Sequence, residues 1–403
     1  MTPSPSSPIA RLGGLLSTAA IALAFLGAVS YASARYLLWP RLDAWRPQIA
    51  ALLESRIGQP VSIGALRPDW QGWAPSLSID DLRLMGADGD LHLLLTSAHA
   101  SVDLRSILRG APTFSELRIE RPVVGVERLS GKRLMVAGRV LDDSNVVLQT
   151  AIGWLLEQDG LTVHDLSVRF VDRTGAMASR QLDGVDLDVR NRGLHHQVLA
   201  SLERPAQGLE AFRAVLDFRR PDHQAAGNWK RWKGDAYLSL TGLKLAGFDA
   251  IALAAIQPLP RAVTTATGVV DQLAWAGFDK GALIEASAKL QASPLAIDLE
   301  AGRLALHSLQ VQAQLAPRGE GGYRLQVTKL SASDRHGFSM ATSGDADIAL
   351  DARGRLQSAR VLFAPIDAAA ALAAIRHQAL AAPLVQRLRP WQAAGTVRDL
   401  DLQ

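Results

Sequence analysis

The stretch LSIDDLRL, Leu77 to Leu84, decides how this chain folds. Apolar side chains alternate at Leu77 and Ile79, the pattern inserts one extra residue across Asp80 and Asp81, and alternation resumes at Leu82 and Leu84. A period of two is the mark of a strand with one apolar face. The extra residue predicts a bulge that keeps both halves on that face. The arrangement returns as LTVHDLSV, with Leu161, Val163, Leu166 and Val168 at the apolar positions, and as LALHSLQV, with Leu304, Leu306, Leu309 and Val311. LQVTKLSA, Leu325 to Ala332, repeats it again, and FSELRI, Phe114 to Ile119, is a shorter version. Their irregular spacing indicates a recurring strand unit and not a solenoid of fixed period.

Other alternating runs fill the intervals between these units, among them Val185-Leu187-Val189 and Leu283 to Leu290, and turn residues separate them. Residues 61–365 therefore read as an antiparallel, meandering β body. Helical patterns are few. NVVLQTAIGWLLEQ, Asn145 to Gln158, puts Val147, Ile152, Leu155 and Leu156 on one side and predicts a helix packed on the sheet or its end. Residues 366–403 read as an Ala-rich helical connection followed by the start of a further β unit at GTVRDLDLQ. A strand begun at the last residues is expected to lack a neighbour on this chain, which predicts an N-terminal portion of a longer protein.

Upstream of the β body, residues 1–11 form a Pro/Ser tail expected to be disordered. Residues 12–38 then meet the roughly 20-residue requirement for a bilayer-crossing helix. Leu12, Leu15, Leu16, Ile21, Leu23, Phe25, Leu26, Val29 and Tyr31 carry this run, and Tyr36 and Trp39 resemble an interfacial belt. The apolar core is longer than the roughly 7 to 15 residues of a cleaved secretory signal, so an uncleaved anchor is expected. Arg35, Arg41 and Arg46 crowd the side opposite Arg11. By flanking charge alone the body would stay cytoplasmic, in conflict with the periplasmic placement argued below. Residues 39–60 predict an amphipathic helix with Leu42, Trp45, Ile49, Leu52, Leu53 and Ile57 recurring at three- and four-residue steps, Pro47 in its first turn and Gly58 as its stop. It either caps the first strands or lies on the membrane surface.

Composition narrows the function. A net charge of +4 over 403 residues, without a polybasic block, does not suggest nucleic acid as a partner. The absence of cysteine fits an oxidising compartment such as the periplasm. No phosphate loop, zinc spacing or nucleophile elbow appears, so no catalytic residue, metal or cofactor is assigned. His195-His196 could be called a metal pair, but adjacent side chains on a strand point to opposite faces, so a solvated turn or strand end is expected instead. Asn228 to Lys233, NWKRWK, mixes aromatics with cations and reads as a Lys-protected strand edge or as a contact for anionic headgroups.

Alternating strands leave an apolar face that needs a cover, and the helices are too few to supply it. Periodicity alone favours a closed sandwich, with an open greasy trough as the alternative. The segment RLDAWRPQIAALLESRIGQPVSIGALRPDWQGWAPSLSIDDLRL, Arg41 to Leu84, resembles the start of the YhdP family of AsmA-like proteins, as do WKGDAYLSL at Trp232 to Leu240 and WQAAGTVRDLDL at Trp391 to Leu402. The resemblance implies a mostly β fold: an N-terminal transmembrane helix followed by an elongated, curved antiparallel β-sheet forming a hydrophobic groove. It also implies an inner-membrane, single-pass, non-enzymatic protein with its body in the periplasm. Such a protein would carry phospholipids toward the outer membrane and support its permeability barrier, with outer-membrane or periplasmic proteins as possible further partners. Candidate acyl-chain contacts are the twelve apolar repeat positions from Leu77 to Leu84, Leu161 to Val168 and Leu304 to Val311 named above. The alternative is an assembly factor that pairs with nascent outer-membrane proteins along a strand edge.

Overall fold

A computed structural model describes residues 25–402, except 87–88, 105, 107–112, 130–133, 142–145, 175–178, 206–207, 223–227, 246–262, 300–301, 319–321, 336–338, 351–355, 364–365, 368–378, 381–395 and 398–399. Nearly every strand joins a single 21-stranded sheet. Its first members are β1 (Val61–Gln71), β2 (Ala74–Met85), β3 (Leu91–Val102), β4 (Phe114–Glu120) and β5 (Val123–Arg128). A small hairpin, β6 (Leu134–Val136) and β7 (Arg139–Leu141), follows, and then come β8 (Gly160–Asp172), β9 (Arg180–Arg192), β10 (His195–Leu202), β11 (Ala211–Arg219) and β12 (Lys233–Lys244). The series continues with β13 (Val263–Asp279), β14 (Ala282–Leu299), β15 (Gly302–Leu306), β16 (Ser308–Pro317), β17 (Gly322–Ser333), β18 (Ser339–Leu350) and β19 (Leu356–Phe363). The described residues thus form no sandwich: outside this sheet they hold only the two-residue strands β20 (Ile366–Asp367) and β22 (Thr396–Val397), which pair with each other.

From β8 to β19 the strands pair antiparallel in chain order, except that β15 and β16 follow each other along β14 and both pair with it. The expectation of a purely antiparallel sheet fails at one place, where β4 and β5 both run parallel to β8. The cause lies in the connection. Between β7 and β8 the chain crosses over through the helix α2 (Val146–Leu156), and a crossover of this length returns a strand in the same direction.

The extra residue of LSIDDLRL takes a form that the bulge expectation did not include. Asp81 and its counterpart Asp165 have φ of 53° and 56°, in the left-handed region that Asp tolerates better than most residues. In β1 to β3, however, the neighbours carry a matching residue. Gly64 faces Asp81 from one side and Thr96 from the other, so the register runs through unshifted. A Cβ on Gly64 would come within 2.9 Å of the Asp81 Cβ, so this strand crossing needs glycine. Arg121, at φ 49°, continues the crease between β4 and β5, where its carbonyl accepts from Thr96 Oγ1 at 2.9 Å, and Asp165 lies beside it on β8. At β8 and β9 the crease does shift the register, between Val163 and Leu166. Both halves keep one face throughout, since Leu161, Val163 and Leu166 pack in one cluster, and Leu304, Leu306 and Leu309 in another.

Before the sheet, residues 25–33 are helical and run into a π-helical turn, Ala34–Leu38, then a 3-10 turn, Trp39–Trp45, and then α1 (Arg46–Ile57). Pro40 therefore changes the winding without stopping the helical path. Pro47 sits in the first turn of α1 and Gly58 ends it at φ 73°, its N–H bonded to Glu54 O at 2.7 Å. This segment lies along the edge strand β1, where Leu66 N donates to Asp43 Oδ1 at 3.0 Å and Arg46 donates to Gly64 O. Leu42, Ile49, Leu53 and Ile57 are half-buried, while Trp45 and Leu52 stay exposed. At the other end, GTVRDLDLQ does find a neighbour: β23 (Leu400–Leu402) pairs antiparallel with Val361 to Phe363 of β19. The helical connection expected before it is not helical where it is described, since β21 (Ala379–Leu380) pairs antiparallel with β15; the rest of it lies outside the described residues.

Candidate functional site

Directly paired strand residues share a face, so the registers trace the apolar face across the sheet. Ile79 pairs with Ala98, Ala98 with Ile119, Ile119 with Val163, Val163 with Leu187 and Leu187 with Ala200. Leu84 pairs with Leu93, Leu93 with Val124 and Val124 with Val168. Leu309 meets Ala292 and Val311 meets Leu290 on β14, whose far half pairs with Leu304 and Leu306. All twelve repeat positions proposed for lipid contact thus fall on one face of one sheet. Leu84, Leu161, Val163 and Leu306 are buried, and Leu77, Ile79, Leu82, Leu166, Val168, Leu304, Leu309 and Val311 are half-buried.

The middle of that face is built differently. Ala200, Ala214, Leu238 and Ala274 form one cross-strand row, and Val198, Leu216, Ala236 and Ala276 form the next. These eight half-buried residues line an open-sided apolar cavity of about 370 Å³. Sequence reasoning missed this floor because alanine contributes little to a hydrophobic pattern. The signal was the alternation itself, as in Ala274-Trp275-Ala276, where the small residues face the cavity and Trp275 faces away.

At one rim α2 covers the same face. Leu155 packs with Leu161, Val163 and Val189, and Leu156 with Phe218 and Trp232. Phe218 is 1% exposed and stacks on Trp232 at 4.1 Å. Beneath α2, buried Arg220 donates from Nε to His196 Nε2 at 2.7 Å and from Nη2 to Glu157 Oε1 at 3.0 Å, while its Nη1 has no partner among the described residues. The reading of Asn228 to Lys233 as a strand edge is overturned, because β12 is paired on both sides. Trp229–Arg231 is a 3-10 turn at the rim, with Trp229 exposed, Arg231 bonded to Asp222 at 2.8 Å and Trp232 in the core beside Phe218.

The model of the YhdP family, described as YhdP protein, matches residues 1–403. The chain belongs to the YhdP family. It is also similar to the intermembrane phospholipid transporter YhdP of Escherichia coli (strain K12), with 39% identity over 79 residues. That match covers 20% of this chain and 6% of the relative. No solved structure matches the chain.

For this YhdP-family chain the remaining predicted positions distribute as follows. Leu12, Leu15, Leu16, Ile21 and Leu23 lie outside the described residues. Phe25, Leu26 and Val29 are exposed on the helix over 25–33, and Tyr31 and Trp39 are half-buried. Among the described residues no helix is long and apolar enough to cross a membrane. His195 and His196 point to opposite faces: His195 Nε2 meets Asp217 Oδ1 at 2.6 Å on the outer face, and His196, buried on the apolar face and not solvated as expected, meets Asn191 Oδ1 through Nδ1 at 2.7 Å. No group of three His, Asp or Glu side chains suited to a metal ion occurs among the described residues.

The outer face carries charge ladders. Residues two apart on a strand share a side, and Arg83 with Asp81, Arg118 with Glu116 and Arg190 with Asp188 pair in this way at 2.7 to 3.0 Å. Hydrogen bonds from Gln197 and then His195 hold the Asp217 carboxyl below the usual carboxylate range. Asp347 is held down by Arg318 foremost, and Asp183 by Ser167 and then Gln181. The two faces of the sheet therefore differ in kind, one solvated and ionic, the other greasy and only partly covered.

Proposed function

We propose that this chain is anchored in the inner membrane by its N-terminal run, holds its β body in the periplasm and carries phospholipids toward the outer membrane in support of the permeability barrier. The acyl chains lie along the apolar face, which serves as a hydrophobic groove, and the headgroups remain in water. One observation carries the reading: among the described residues, an apolar face continuous over many strands is covered by α2 at one rim, is packed closed around Leu295 and Leu306, and is left open over an alanine floor. Each methylene shielded there contributes about 0.8 kcal/mol. Alanines leave room for the chains, and the larger repeat residues Leu77, Ile79, Leu82, Leu84, Leu166, Leu309 and Val311 extend the surface to either side. Movement is passive, without chemistry on the lipid, and follows a gradient or a partner protein. Membership of the YhdP family and similarity to a phospholipid transporter support the substrate class.

Strand-edge pairing with nascent outer-membrane proteins gains less support, because β1 presents Leu66 N and Gly64 O already bonded to Asp43 and Arg46. A photo-crosslinking side chain placed at Ala274 in the full chain, in cells labelled with radioactive phosphate, tests the proposal. Phospholipid adducts are expected from Ala274 and not from Ser287, whose side chain faces the opposite side. Equal labelling at the two positions, or none at Ala274, would overturn it.

A further inference from the structure

The run from Leu12 to Ala34 contains no charge, and the first ionic group after it is Arg35. That guanidinium is held by the turn between β1 and β2. It donates to Gly72 O at 3.2 Å and to Tyr31 OH at 3.0 Å, and it lies over the Trp70 ring at 5.1 Å. Gly72, at φ 62°, opens this two-residue turn and Trp73 completes it. Trp73 is 74% exposed, more than any other large hydrophobic side chain among the described residues. Its ring stands 5.5 Å from that of Tyr31, which also meets Trp70 at 5.2 Å. Trp39 ties the far side, its Nε1 donating to Asp69 O at 3.0 Å and Ser76 O at 3.1 Å. The hairpin tip is thereby fixed to the helical segment at the level of Tyr31.

We propose that the β1–β2 hairpin tip is a second membrane contact, with Trp73 seated in the interfacial layer of the lipid bilayer beside Tyr31 and Tyr36. The inference rests on the anchor reading above and goes beyond it. An uncharged run of this length fills the hydrocarbon core, so its end, where Tyr31 and Arg35 sit, comes to the headgroup level. A tip bound at 5.5 Å from Tyr31 reaches the same level. The chemistry fits lipid headgroups: Trp and Tyr offer an apolar body with a polar tip and concentrate at this depth, with a neighbouring arginine. Phe25, Leu26, Tyr36 and Leu37 are exposed along the same helical path, giving a surface continuous with the tip. The contact fixes the depth and tilt at which the first strands, and with them the Leu77 and Ile79 end of the apolar face, meet the membrane.

The chain has no cysteine, so Trp73→Cys gives a single attachment point for an environment-sensitive fluorophore. The full chain is reconstituted in vesicles of phosphatidylethanolamine and phosphatidylglycerol, with Val29→Cys marking the anchor and Lys280→Cys marking a turn far along the sheet. The expected result is a blue shift at Trp73→Cys, with emission lost to quenchers attached near the headgroup and little affected by quenchers deep in the acyl region. Val29→Cys should respond to the deep quenchers and Lys280→Cys to neither. A Trp73→Cys probe as water-exposed as that at Lys280→Cys, beside a quenched Val29→Cys, overturns the hairpin contact and leaves the anchor standing. Water exposure at Val29→Cys as well overturns the anchor reading and this inference with it. Unchanged circular dichroism of each variant establishes that the probes report on a folded chain.

Discussion

Two regions of one apolar face behave as different materials. Under α2, Phe218, Trp232, Leu156, Leu161, Val163 and Val189 are buried, with a ring stack and a buried arginine holding the rim together. A few residues further along the same strands, Ala200, Ala214, Ala236 and Ala274 stay half-buried around an open cavity. Strand pairing and alternation are the same in both. Among the described residues, only side-chain size and the presence of a cover differ. Large residues with a lid make a core, whereas small residues without one make a surface that water meets and that acyl chains can cover instead.

The most severe way to sharpen this contrast is a pair of substitutions on β11. Phe218→Ala removes a stacked, fully enclosed ring and should cost about 3 to 5 kcal/mol in denaturant unfolding. Ala214→Asp should change stability by about 1 kcal/mol or less, while a charge on the open floor reduces lipid adducts at a probe on Ala274 about tenfold. A loss of stability at Ala214→Asp as large as that at Phe218→Ala would make the floor an ordinary core. Arg220→Met removes the bonds from Arg220 to Glu157 and His196 and should loosen α2 at a cost of about 1 to 3 kcal/mol, without altering adducts at Ala274 per folded molecule. Increased adduct yield in that variant would mean that α2 gates the floor.

The crease at Asp81, Arg121 and Asp165 offers a smaller test. Asp165→Val places a β-branched side chain at φ 56° and should cost about 1 to 2 kcal/mol, with Asp165→Gly tolerated. The smallest effect concerns pH and the outer face alone. The depressed carboxyls of Asp217, Asp347 and Asp183 contribute stability that is fully present above the ordinary carboxylate pKa of about 3.9 and is lost as pH falls through their lower folded-state values. Stability measured by unfolding down a pH series should fall below about pH 4, with the adduct yield at Ala274 unchanged per folded molecule. Replacing Asp217 by Asn should flatten part of that slope.

Legibility in the sequence followed the range of the interaction. The repeats Leu77 to Leu84 and Leu161 to Val168 disclosed strands with an extra residue because alternation and its interruption are properties of consecutive side chains. Gly58 and Pro47 disclosed the ends of α1 for the same reason. Asn228 to Lys233 misled, since whether a strand lies at an edge depends on partners far away in the chain, and Trp232 turned out to stack on Phe218. GTVRDLDLQ misled only about its pairing, because its neighbour, β19, was hidden behind a long intervening segment. The alanine floor escaped notice because small side chains carry a weak apolar signal even where they define the shape of a surface.

By itself the sequence determined that the body is made of strands with one greasy side, that the greasy side survives each interruption, and that an uncharged run precedes it. These follow from backbone geometry acting over a few residues. The tertiary structure alone decided that the strands share one sheet and not two, that β8 returns parallel to β4 and β5, and that α2 covers one rim while alanines leave the next stretch open. Which surfaces meet is settled by contacts between residues far apart in the chain, and no local pattern encodes them.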